Sequence, residues 1–319
     1  MARAVFELLE QRFGRLADLV ESRDVHRVAT SASGHLERGH LEQLIRHEVA
    51  AVHVKGFVEP TAAAALSRRI LARDAAATAA SGATSRELSW KVANGRGMES
   101  TDVRAVGGTP FAVAMDAARS DPARLDAYFE EAAAEIRWLR RGDASDVLSP
   151  LDKLRLELDE AWPNGCTLLK DAKLGRPFLP GVGRVMEGPT AWAEGFAHVD
   201  SLDPMVADSG LFSANIYLQL PPVGGELQIW PLRVRSRWDF YRHGVTWSAL
   251  TTPDEGGQRT LRKALAATIP PLRLRPAPGD LVLLCAQRPH AVQGFPLGRR
   301  VSLQSFVTHA EGKPLTIDN

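Results

Sequence analysis

From residue 181 onward the chain is built of short apolar runs punctuated by glycine and proline. Val182–Glu187 stops at Gly188-Pro189, residues 211–220 stop at Pro221-Pro222, and residues 227–230 follow the turn signal Gly224-Gly225. Residues 272–275 precede a turn over 276–280, and residues 280–285 and 301–308 complete the series. Many short strands with Gly/Pro turns, grouped in one half of a chain, predict a double-sheet jelly roll. Residues 235–270 break the pattern: they are rich in Trp, Arg, Gly and Thr, with a helix expected over 260–267. An insertion between barrel strands is where a substrate-binding lid would sit.

The first half reads as helical support. Val5, Leu8, Leu9, Phe13, Leu16 and Leu19 recur near helical spacing and predict a helix over 2–22. Residues 31–34 read as a loop, 41–47 as a short helix and 50–58 as a strand ended by Glu59-Pro60. Pro60 opens an alanine-rich helix to about residue 80. Residues 88–110, with Trp90 and several glycines, read as a loop or irregular strands over one mouth of a pocket. Asp121-Pro122 opens a helix to 141 with Leu125, Phe129, Ala133, Ile136 and Leu139 as its buried stripe, and Ser149 caps a helix over 151–162. The expectation is one α+β domain over 1–319: a mainly helical region (1–178) buttressing a jelly-roll core (179–310) with the insertion at 235–270.

Within the strand-rich half lies Gly195-Phe196-Ala197-His198-Val199-Asp200, and ninety residues later Arg288-Pro289-His290. Residues i and i+2 of a strand share a face, so His198 and Asp200 can present an imidazole nitrogen and a carboxylate oxygen to one ion. His290 supplies a third ligand. Two histidines and one carboxylate on one face of a metal leave the opposite face open, as in non-haem Fe(II) oxygenases. Downstream, Arg300-Val301-Ser302 puts a guanidinium fork and a hydroxyl on one side of a strand, a clamp for a carboxylate. Arg299 competes with Arg300, and the serine two places after Arg300 decides for Arg300.

With His198-x-Asp200, His290 and Arg300-x-Ser302 in this order, the chain resembles the Fe(II)/2-oxoglutarate-dependent oxygenases over roughly residues 180–310. The resemblance implies a distorted double-stranded β-helix (cupin-like), Fe(II) held by His198, Asp200 and His290, and the distal carboxylate of 2-oxoglutarate held by Arg300 and Ser302, with O₂ as co-reactant. Tyr217 stands either as a further cosubstrate contact or as packing, and Asn215 shares its face. The layout is similar to small bacterial members that hydroxylate amino acids or natural-product scaffolds, a secondary-metabolism role. Related halogenases carry Gly or Ala where this chain has Asp200, so the departure implies oxygen transfer.

Other classes find less support. Lys plus Arg number 39 against 38 Asp plus Glu, a net charge of +1, so no field favours nucleic acid. No apolar run is long enough to span a membrane, no signal-peptide core opens the chain, and two cysteines make no disulfide framework. A cytoplasmic protein with a small-molecule substrate is expected; the oligomeric state stays open. Zinc accepts the same ligands, so a zinc hydrolase or a cupin-like isomerase without 2-oxoglutarate is the alternative. For substrate contacts the candidates are Arg184, which otherwise makes a surface ion pair, and Trp192, Phe212 and Trp230, with Trp238 and Trp247 nearby.

Overall fold

The computed structural model describes residues 2–21, 25–81, 102–107, 123–141, 148–172, 174–206, 209–251 and 255–319. In chain order these form α1 (Ala2–Phe13), a 3-10 turn (Leu16–Leu19), β1 (Val28–Ser31), α2 (Arg38–Ile45), β2 (Ala51–Val54), α3 (Pro60–Ser81), β3 (Val103–Val106), α4 (Ala123–Arg140) and α5 (Pro150–Ala161). Then follow β4 (Cys166–Leu168), β5 (Val182–Glu187), β6 (Ser209–Gln219), β7 (Leu227–Ile229), α6 (Arg237–Arg242), α7 (Gly244–Thr251) and α8 (Glu255–Thr268). The chain closes with β8 (Leu272–Leu274), β9 (Leu281–Cys285), β10 (His290–Val292), β11 (Arg299–Ala310) and β12 (Leu315–Asp318).

This is a mixed α/β architecture around one large sheet. Its order is β1-β2-β9-β6-β11, and the outer edge of β11 is shared between two partners. Residues 299–304 pair with β5, which pairs in turn with β3. Residues 306–308 pair with β12, which runs parallel to β4. A second sheet, β10-β7-β8, is antiparallel throughout.

Alternation assigns the two faces of the large sheet. On β6, Phe212, Ala214, Ile216 and Leu218 face the main core; on β9, Leu281, Leu283 and Cys285; on β11, Val301, Leu303 and Val307. Helices α2 to α5 cover that face with Leu41, Leu44, Leu66, Ile70, Ile136, Leu139, Leu151, Leu154 and Leu158. Truncating one of these buried leucines to alanine costs about 2–5 kcal/mol. On the other face Tyr217, Val282 and Leu284 pack against Leu227 and Ile229 of the small sheet. The polar residues of that face enclose the site.

Local chemistry explains the helix ends. Ser149 caps α5, its hydroxyl accepting the Asp152 N–H at 3.1 Å, with Pro150 in the first turn. The first helix stops at Phe13 rather than running to residue 22, because Gly14 lets the Arg242 carbonyl approach to within 2.3 Å of where a Cβ would stand. Of its apolar set, Val5, Leu8 and Phe13 remain about half exposed. Ser31 ends a strand instead of opening the expected loop; β1, β4, β10 and β12 are strands of three or four residues beyond those expected, and β3 falls within the segment read as a loop or irregular strands. His53 on β2 is a buried structural residue, its Nε2 hydrogen-bonded to Asp280 at 2.7 Å. Burial pushes Asp280 up, but His53 and the Ala277 and Gly56 N–H groups outweigh it and hold its carboxyl below the usual range. Trp90, Asn94 and the start at Asp121-Pro122 lie outside the described residues. No helix among the described residues is long and apolar enough to cross a membrane.

Candidate metal centre

His198, Asp200 and His290 come together as the sequence spacing predicts, their ligand atoms all within 4.8 Å of one another. The segment carrying the first two is not a ladder strand. It is an irregular stretch with one bridge residue, in which His198 and His290 exchange N–H···O bonds of 2.9 Å. The Asp200 N–H bonds the Ala286 carbonyl at 2.9 Å. Both ligands still reach the cavity, which they line together with His290.

The ligand geometry is that of groups around an ion. Asp200 Oδ1 lies 3.6 Å from His198 Nε2, and Oδ2 lies 3.6 Å from His290 Nε2. These gaps are too long for hydrogen bonds. Ligands about 2.1 Å from a shared ion and at right angles stand about 3 Å apart, so only a small closure is needed. Asp200 Oδ2 is buried and has no hydrogen-bond partner. Each imidazole has its Nδ1 beside a carbonyl two residues back, Phe196 O at 3.0 Å and Arg288 O at 2.8 Å. A proton donated there leaves the Nε2 lone pair free for a metal, the usual way a protein fixes a ligating tautomer. The residues present therefore fit a divalent ion.

What the missing ladder does not hold, other groups do. Gln258 on α8 accepts the Ala197 N–H at 3.0 Å and donates to the Ala197 carbonyl at 2.8 Å, as a neighbouring strand would. Arg262, one turn on, donates to the Gly195 carbonyl. Gly195 itself (φ +84°) is required: a Cβ there would stand 1.9 Å from the Val292 carbonyl oxygen. Ala197 and Val199 pack with Trp230, Trp247, Leu250, Leu261 and Leu265. The insertion over 235–270 thus braces the ligand segment, and none of its described residues lines the cavity. Behind His290, the fully buried Arg288 pairs with Glu21, tying the N-terminal segment to this corner.

Arg300 lies on β11 with its guanidinium 5.0 Å from the Tyr217 ring and Nη1 3.8 Å from Met186 Sδ. It is 6% exposed, its Nε has no partner, and no described carboxylate lies within ion-pair distance. Ser302, fully buried beneath the wall, has an unpartnered hydroxyl. Arg299 instead points outward, half exposed, to Glu187 at 2.9 Å. Asn215 lines the cavity, but its amide donates to Ser213 Oγ at 2.9 Å, which also receives Gln304 at 2.8 Å. The cavity is partly open to solvent, and its wall mixes charged and polar side chains with apolar ones.

Of the substrate candidates, Arg184 and Trp192 line the cavity. Phe212 does not: its even position on β6 turns it into the helical core, with Ala214 and Ile216. Trp230 does not either; it packs beneath the insertion, as does Trp247, while Trp238 is half exposed against Phe13. Residues not anticipated on the wall are Ser213, Gln304, Met186, Phe196 and Thr190, while Asp102 and Val103 belong to the 88–110 segment expected at its mouth. Strand parity alone could have found Ser213, two before Asn215, and Gln304, two after Ser302.

No family model matches the sequence, and no curated protein matches it. Among solved structures, the chain is similar to an N-substituted L-amino acid dioxygenase from Burkholderia ambifaria at 15% identity, over 66% of this chain and 77% of that one, with a TM-score of 0.44. A Pseudomonas putida prolyl-4-hydroxylase is 16% identical over 82% and 94%, with a TM-score of 0.35. The non-haem alpha-ketoglutarate-dependent epimerase SnoN from nogalamycin biosynthesis is 14% identical over 86% and 82%, with a TM-score of 0.39. Likeness at this level is too remote to bear on the assignment, which rests on the site itself.

Proposed function

We propose that this protein is an Fe(II)/2-oxoglutarate-dependent oxygenase that hydroxylates an unactivated C–H bond of a small molecule in the cytoplasm, and that its two sheets are the double-stranded β-helix of that family. One observation carries the reading: a triad with the geometry of metal ligands opens onto the same cavity as a buried arginine that has no carboxylate partner among the described residues. A buried guanidinium of this kind needs an anion. Iron held there would supply activation of O₂ coupled to decarboxylation of 2-oxoglutarate to succinate and CO₂, enough to oxidise an unactivated C–H bond.

The chain's own residues do the positioning. His198, Asp200 and His290 would hold the ion, leaving the cavity beside it for cosubstrate and O₂. Arg300 pairs with the distal carboxylate of 2-oxoglutarate, the Ser302 hydroxyl donates from below, and the Tyr217 ring flanks the guanidinium. Leu227, Leu284, Val292 and Met186 give the cavity apolar walls that exclude water from the reacting groups.

The test is release of succinate from 2-oxoglutarate under air with Fe(II) or Zn(II). Iron-dependent release that disappears in Asp200→Ala is expected. A zinc-supported hydrolysis without consumption of 2-oxoglutarate would contradict the reading.

A further inference from the structure

The turn between β9 and β10 touches two of the three metal-ligand residues. The Ala286 carbonyl accepts the Asp200 N–H at 2.9 Å, and the Arg288 carbonyl lies 2.8 Å from His290 Nδ1. The position of this turn therefore sets the backbone of Asp200 and the ring of His290. Backbone bonds anchor its two ends: the Ala286 N–H meets the Leu211 carbonyl, and the Trp230 N–H meets the Pro289 carbonyl, both at 2.9 Å. Between them the Arg288 N–H closes the turn on the Cys285 carbonyl at 3.1 Å, and Pro289 has no N–H. Two buried side chains hold the middle instead. Gln287 donates to the Asp203 and Pro204 carbonyls at 2.8 and 3.2 Å. Arg288 reaches the N-terminal segment, at Glu21.

Glu21 comes from far away in the sequence, and its backbone is fixed where it meets Arg288. Val20 bridges to Leu232, the Glu21 N–H bonds the Pro231 carbonyl at 3.0 Å, and the Arg233 N–H bonds the Leu19 carbonyl at 2.8 Å. The buried Glu21 carboxylate pairs with Arg288 and, at 3.4 Å, with Arg233. It is the only carboxylate within ion-pair distance of Arg288 among the described residues. Arg288 is fully buried, and its Nε and Nη2 find no hydrogen-bond partner there. Burial, with Arg288 and Arg233 nearby, pushes His47 down to about 3, so this neighbour stays neutral. One carboxylate thus faces two guanidinium groups. Without it, Arg288 would be an uncompensated buried charge in the middle of the turn, drawn toward water and away from its place behind His290.

Resting on the assignment of His198, Asp200 and His290 as metal ligands, we propose that Glu21 is a positioning residue for the metal centre. By neutralising Arg288 it fixes the 286–289 turn, and through the turn it orients His290 and Asp200. A determinant of metal affinity then lies in the N-terminal segment, outside the strand-rich half that carries the ligands.

The test titrates Fe(II), and separately Co(II), into the metal-free protein without oxygen or 2-oxoglutarate, reading the Kd and the visible Co(II) spectrum, with denaturant melts alongside. Glu21→Gln keeps the shape and removes the charge. It is expected to raise the Fe(II) Kd by about 10–100-fold, as loss of an outer support does, and to shift the Co(II) spectrum. Glu21→Asp, charged but shorter, should recover part of the loss. In an Arg288→Met background no guanidinium is left to neutralise, so Glu21→Gln should change the Kd by less than about threefold. An unchanged Kd and Co(II) spectrum in Glu21→Gln, or an equal loss with and without Arg288, would overturn the inference. If Glu21→Gln does not fold, Glu21→Asp decides: a Kd above that of the wild type supports the inference, and wild-type affinity overturns it. Wild-type protein that binds neither metal would instead be a failure of the metal assignment.

Discussion

His198 and Asp200 stand on an irregular segment with a single bridge residue, whereas Arg300 and Ser302 stand on a 12-residue strand bonded along both edges. The difference teaches how each half is held in place. On β11, the ladder itself fixes the backbone, and alternation alone aims Arg300, Ser302 and Gln304 at one face. In the ligand segment, side chains replace the ladder: Gln258 pairs with both backbone groups of Ala197, and Arg262 takes the Gly195 carbonyl. The metal half therefore depends on a distant helix, and the clamp half does not.

Substitutions should separate the two halves, and the largest effect is expected at the metal. Asp200→Ala removes the only charged ligand and should abolish Fe(II)-dependent succinate release; normal turnover would break the assignment. Next comes Arg300→Ala. Truncating a buried charged partner costs about 2–5 kcal/mol, so the Kd for 2-oxoglutarate should rise by roughly 30-fold or more, with iron affinity unchanged. An unchanged Kd would remove the clamp from Arg300.

Gln258→Ala should act on the other half alone. Loss of an outer support typically costs 10–100-fold in metal affinity, and an effect of about tenfold on Fe(II) is expected by titration, with the 2-oxoglutarate Kd of iron-saturated protein within twofold. Equal effects on both would erase the distinction drawn between the halves.

The smallest effect at the site is expected from Asp280→Asn, which touches the sheet away from the metal. Because the folded carboxyl is held below its ordinary value, its contribution is present above the unfolded pKa of about 3.9 and is lost as pH falls through the lower folded value. The variant should be less stable than wild type by about 1–3 kcal/mol at pH 7. The gap should narrow below about pH 4. Denaturant melts across pH check this; a gap that widens on acidification would refute the sign.

Legibility in the sequence follows the same division. The convergence of His198, Asp200 and His290 is readable because metal ligation needs those residue types, and the burial of Arg300 and Ser302 on one strand because period two ties them together. The parity that turns Phe212 away from the cavity was equally readable, since Ala214 and Ile216 share its face. The brace was not: Gln258 and Ala197 meet across 61 residues, and a glutamine in an amphipathic helix carries no mark of its partner. Trp230 and Trp247 illustrate the same limit, because aromatic residues close in sequence to a site are as able to pack behind it as to line it. The short edge strands β1 and β4 escaped because three or four residues show too little alternation.

The central claim is tested most directly by adding Fe(II) and then 2-oxoglutarate to the protein without oxygen. The account predicts a visible charge-transfer band that is absent in Asp200→Ala and His290→Ala and appears in Arg300→Ala only at much higher 2-oxoglutarate. No band in the wild-type protein, with tight Zn(II) binding in its place, would contradict it and turn the site toward a metal hydrolase or a cupin-like protein.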